Sequence, residues 1–99
     1  MRLTGKAEKD FFEWYRNTDF KSRNQPGLAL FYNYCNSMQY GVLVDFFESK
    51  DLCIEICKMH LSKYYYWMIN DGDEENKFNT RPEARTESIK KANEIYNLR

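Results

Sequence analysis

Ninety-nine residues allow one hydrophobic core and leave too little surface to bury a second, so a single domain spanning residues 1–99 is expected. Lysine plus arginine balances aspartate plus glutamate at 15 each, which excludes an overall field that would hold the chain on nucleic acid or an anionic membrane. Eight Tyr, seven Phe and two Trp within a 42% hydrophobic fraction exclude a disordered chain.

No apolar run approaches the roughly 20 residues of a membrane span, and Met1 to Lys6 leads into charged helix rather than an apolar signal core. A cytoplasmic location is therefore expected. Cys35, Cys53 and Cys57 are an odd number of thiols, expected to be reduced and buried.

In chain order, Leu3, Ala7, Phe11 and Trp14 recur at helical spacing, which predicts a helix from Thr4, its N-cap, to about Asn17. Lys6 with Asp10 and Lys9 with Glu13 would form i,i+4 pairs on the solvated side, and Phe12, off the stripe, is expected to be exposed. Residues 17–27 are polar, end in Pro26-Gly27 and read as a surface loop. Residues 28–35 fit either a short strand or a turn of helix.

Ser37 can cap a helix from Met38 to about Ser49. Its apolar side chains cover roughly two-thirds of the wheel, where a surface helix needs a stripe of about 100°. Either the domain wraps this helix, or Tyr40, Val44 and Phe47 form a candidate partner interface, most simply a homodimer.

Leu52 to Lys58 places Leu52, Ile54 and Ile56 on one face of a strand, and Tyr64 to Ile69 supplies the aromatic residues that suit a second. The two read as an antiparallel hairpin with its loop near His60. Asn70 to Asn76 reads as an acidic surface loop. Thr80, Arg81, Pro82 and Glu83 form a capping box that opens a helix running to about Asn97, with Ala84, Ser88, Ile89, Ala92, Ile95 and Tyr96 on its buried side.

Two stretches, Ser37–Ser49 (SMQYGVLVDFFES) and Phe78–Arg85 (FNTRPEAR) continued by Ile89–Asn97 (IKKANEIYN), together with the Leu3–Ala7 opening, resemble small uncharacterised proteins encoded by gut bacteria and their phages. The resemblance implies the helix, hairpin, helix order and a mobile-element origin. It implies no activity and no site residues.

No residue pattern points to catalysis. Cys53, Cys57 and His60 spell C-x3-C-x2-H, but on a strand the two thiols would be about 13 Å apart, too far to share a metal. Asp71, Asp73 and Glu75 alternate like a calcium loop, yet Gly72 falls at the wrong place and no bidentate Glu follows. His60 is the one candidate base, with no third group to complete a nucleophilic triad. Neither cofactor nor metal is expected.

Arg81 and Arg85 fall at the N-terminal end of the buried stripe of the last helix. They read either as amphipathic packing over the core edge, or as partners of a buried acid such as Asp45, or as a candidate anion site beside free helix N–H groups. Tyr64, Tyr65, Tyr66 and Trp67 could stack bases, but residues 70–79 carry four acids against one lysine, and no basic stripe accompanies them. The expectation is an α+β protein with two N-terminal helices, an antiparallel hairpin with residues 28–34 available as a third strand, and a C-terminal helix packed on the sheet. Functionally it reads as a non-catalytic accessory protein that binds another protein, with a nucleic-acid module as the alternative.

Overall fold

A computed structural model describes residues 1–17, 31–70 and 72–99, which form an α+β architecture. Helix α1 spans Gly5–Arg16, α2 spans Asn36–Ser49 and α3 spans Arg81–Asn97. Strands β1 (Ile54–Lys58), β2 (Tyr65–Ile69) and β3 (Asp73–Phe78) make one antiparallel sheet in the order β1-β2-β3. Helix α3 packs on this sheet and against α1 and α2.

The expected hairpin is present, with Ile54 opposite Ile69 and Ile56 opposite Trp67. Its third strand is elsewhere than expected. Phe31 to Tyr34 make a turn, closed by the Tyr34 N–H donating to the Phe31 carbonyl, and residues 28–30 lie outside the described residues, as does the loop expected at 18–27. The third strand is instead Asp73–Phe78, from the stretch read as an acidic loop. Charged residues on an edge strand discourage further pairing, and that same polarity hides the strand from a hydrophobic pattern. Between the Tyr65–Phe78 and Trp67–Glu75 pairs the register slips, so Tyr66 faces both Asn76 and Lys77. Lys77 takes a left-handed φ of 73° at this bulge, which bends the strand on its way to α3.

The buried stripe of α1 is Leu3, Ala7, Phe11 and Tyr15, with Tyr15 in the position expected of Trp14. Phe12, expected to be exposed, is half-buried against the core. Phe46 joins the three helices: its ring lies 5.4 Å from Phe11, 5.1 Å from Phe47 and 5.8 Å from Tyr96. Such aromatic pairs add about 0.5–1.5 kcal/mol each beyond area burial.

Thr4 precedes α1 as expected, but its side chain does not cap the helix. The cap comes from the other end of the chain. The Ala7 N–H donates to Asn97 Oδ1 (2.8 Å) and the Thr4 N–H to Asn93 Oδ1 (2.9 Å). The amide groups donate back, Asn97 Nδ2 to the Thr4 carbonyl (2.9 Å) and Asn93 Nδ2 to Thr4 Oγ1 (3.0 Å). Gly5, at a φ of +60°, makes room for this: a Cβ there would lie 3.2 Å from Asn97 Nδ2.

Asp10 was expected to pair with Lys6. It instead accepts the Tyr96 hydroxyl at 2.5 Å, and Lys6 Nζ lies 5.6 Å from the centre of the Tyr96 ring. Burial, aided by the hydrogen bond to Asp10 and the charge of its carboxylate, pushes the Tyr96 hydroxyl from 10.0 up to about 12.

Two outcomes follow from these contacts. Asn97→Ala removes an N-cap and should cost about 1–2 kcal/mol in urea denaturation, whereas a loss below about 0.3 kcal/mol would show that water caps α1 equally well. The Tyr96 hydroxyl must keep its proton to donate, so its contribution is full below pH 10 and is lost as pH rises through about 12. Tyr15, Tyr32 and Tyr40 are raised in the same direction by burial. Thermal unfolding between pH 10 and 12 should therefore show a falling midpoint, with a shallower fall in Tyr96→Phe; equal slopes would remove Tyr96 from the account.

Candidate functional site

One half of the capping box at the start of α3 forms: Thr80 Oγ1 accepts the Glu83 N–H at 3.3 Å and Pro82 occupies the first turn, while among the described residues the Glu83 carboxylate does not bond back to Thr80. This fixes where Arg81 and Arg85, one turn apart, leave the helix. Arg81 lies over the ring of Tyr65 at the start of β2, 5.2 Å from its centre. Arg85 lies over the ring of Tyr40 on α2, at 5.4 Å, and its Nη1 donates to Ser37 Oγ at 3.2 Å. Ser37 is free to accept because α2 begins at Asn36 with Cys35 at the N-cap, two residues earlier than expected.

Tyr40 is half-buried at the centre of this group. Burial pushes its hydroxyl pKa up, opposed by a hydrogen bond with Ser88 and by the charges of Arg85 and Arg81. Among the described residues the ion pairs are Lys90–Glu87 and Lys91–Glu94, both at 3.9 Å on the exposed side of α3, and neither arginine has a carboxylate partner. Asp45, the acid expected to meet them, is exposed. The amphipathic packing expected of the arginines is present in Arg85, which is half-buried, while Arg81 is exposed.

The helix terminus offers fewer free N–H groups than expected, since Pro82 has none and that of Glu83 is taken by Thr80.

The other sequence-predicted features do not assemble into a site. Phe47 is fully buried, stacked edge-on to Tyr96 and tilted on Phe46, while Tyr40 and Val44 pack half-buried against the core. The proposed face of Tyr40, Val44 and Phe47 is therefore not a free surface. The domain wraps α2, the other of the two alternatives its wheel allowed. Trp67 is 3% exposed and turned into the core with Ile54 and Ile69, and Tyr65 lies beneath Arg81, while Tyr64 and Tyr66 are half-buried.

Cys35 and Cys53 are exposed and Cys57 is half-buried, against the expectation of buried thiols. Cys57 sits opposite Tyr66 on the sheet face turned away from the core, where Met68 is also half-buried. No group of three or more His, Cys, Asp or Glu gathers among the described residues. Asp71 lies outside them, and Asp73 and Glu75 belong to β3 rather than to a loop. His60 is exposed in the turn between β1 and β2. No helix among the described residues is long and apolar enough to cross a membrane.

Sequence reasoning found Arg81 and Arg85 from the wheel and Tyr40 from its apolar sector, but missed Ser37 and Tyr65 as their neighbours. Ser37 is 48 residues from Arg85, and no local pattern announces such a pairing. The thiol exposure is directly measurable: two thiols should react with an aromatic disulfide reagent in native protein and the third, Cys57, more slowly. Three equally slow thiols would return the cysteines to the core.

Compared with family models, with curated proteins and with solved structures, the chain finds no match.

Proposed function

We propose that this chain is a non-catalytic accessory protein of a phage or mobile element that acts in the cytoplasm by binding another protein, and that Arg81 and Arg85, laid on the half-buried rings of Tyr65 and Tyr40, belong to the binding surface. The observation that carries the reading is the pair of guanidiniums without a carboxylate partner among the described residues, each laid on a tyrosine ring. Like charges at i,i+4 on a helix destabilise it by about 0.2–0.5 kcal/mol, which offsets part of what the two exposed cation–π contacts contribute to the isolated fold. Arginine and tyrosine are the side chains on which binding energy concentrates at protein interfaces, because they bury area and donate hydrogen bonds at low entropic cost. The nucleic-acid alternative loses support with Trp67 in the core and four acids at residues 71–75 against the single Lys77.

Affinity capture with the full chain tests this. Wild type and a Lys90→Glu control should recover the same protein from the native host, and Arg81→Glu with Arg85→Glu should lose it, since breaking buried interfacial charge pairs costs about 2–5 kcal/mol. Equal recovery by the charge-reversed chain, or recovery of nucleic acid alone, would contradict the proposal.

A further inference from the structure

We propose that the Arg81–Arg85 shelf recognises a phosphate monoester carried on a side chain of the protein partner. This rests on reading the shelf as a partner-binding surface, and adds the chemistry of what it binds.

Charge is the first argument. Two guanidiniums one turn apart carry a local charge that no described carboxylate offsets. A single carboxylate is satisfied by one guanidinium in a bidentate pair, whereas a phosphate monoester brings nearly two charges and three acceptor oxygens. Glu83, between the arginines in sequence, is about 200° around the helix from Arg81, on the opposite side.

Geometry is the second. Each guanidinium rests on a tyrosine ring, Arg81 on Tyr65 and Arg85 on Tyr40, so its carbon is held in place by an aromatic neighbour. Of five N–H donors on Arg85 one is engaged by Ser37, and among the described residues no other partner takes the rest of either fork. The Ser37 hydroxyl, already accepting from Arg85, has a proton of its own to offer an oxyanion.

The surroundings favour one dianion over a polymer of them. The chain has no net charge, and residues 70–79, which lead into α3, carry four acids against one lysine. A continuous phosphate backbone would run into that repulsion, but a single phosphorylated side chain would not.

The test is a titration of the full chain followed by nuclear magnetic resonance, observing the arginine Nε–H signals. The probes are a short end-blocked neutral peptide carrying one phosphoserine, the same peptide with serine or glutamate there, and adenosine monophosphate. The phosphoserine peptide should shift Arg81 and Arg85 saturably and bind at least about tenfold more tightly than the glutamate peptide, since the second guanidinium is used only by the dianion. Arg85→Gln should abolish the preference and Arg85→Lys weaken it, while the backbone spectrum shows both variants folded. Equal affinity for phosphoserine and glutamate, no shift at either arginine, or tighter binding of the nucleotide than of the phosphopeptide would overturn the proposal. Capture from a phosphatase-treated lysate separates the two readings. A partner released by that treatment supports the phosphate; one that stays bound yet still needs both arginines leaves protein binding standing and removes the phosphate.

Discussion

Helix α3 packs against every other described element, and its docking sets the positions of both chain ends. Its buried stripe is Ala84, Ser88, Ala92 and Tyr96, four residues at successive turns, three of them small. Small side chains let the helix axis approach its neighbours closely, and the buried Ser88 hydroxyl is satisfied within the helix by donating to the Arg85 carbonyl at 2.7 Å. Where the stripe ends, Tyr96 meets Phe46, Phe47 and Asp10, and Asn93 and Asn97 cap α1. The hydrogen bonds among these contacts join residues 86 to 93 positions apart, so the entropy of closing nearly the whole chain is opposed at one seam.

The two ends of α3 therefore differ in kind. Its C-terminal half is satisfied by the protein's own polar groups. Its N-terminal end presents two arginines to aromatic rings and leaves their outer donors to solvent. Features that agree with the fold at one end and depart from local balance at the other are what a binding surface on a stable scaffold looks like.

What was legible in the sequence follows from how local each signal is. The Thr80 cap and the hairpin strands rest on neighbouring residues, and their readings agree with the structure to within two residues. The third strand was illegible because Asp73, Glu74 and Glu75 serve an edge, where charge prevents pairing and erases alternation. Thr4 is the N-cap residue of α1 as its position suggests, but the side chains that bond to the helix start stand on Asn93 and Asn97, about 90 residues away, where no local pattern reveals them. Phe47 could not be placed from the wheel, since an aromatic facing α3 and one facing a partner leave the same trace. Of the site, both arginines were visible, but Ser37 and Tyr65 join them only through packing.

The central claim is that Arg81 and Arg85 are kept for a ligand rather than for the fold. Urea denaturation of the Arg81→Met, Arg85→Met double variant addresses it most directly, because methionine preserves much of each apolar stem and removes the charge. Relief of like-charge repulsion and loss of exposed cation–π contacts nearly cancel, so stability should stay within about 1 kcal/mol of wild type. A loss of more than about 2 kcal/mol, the scale of a broken buried network, would show that the arginines hold the structure together and contradict the account.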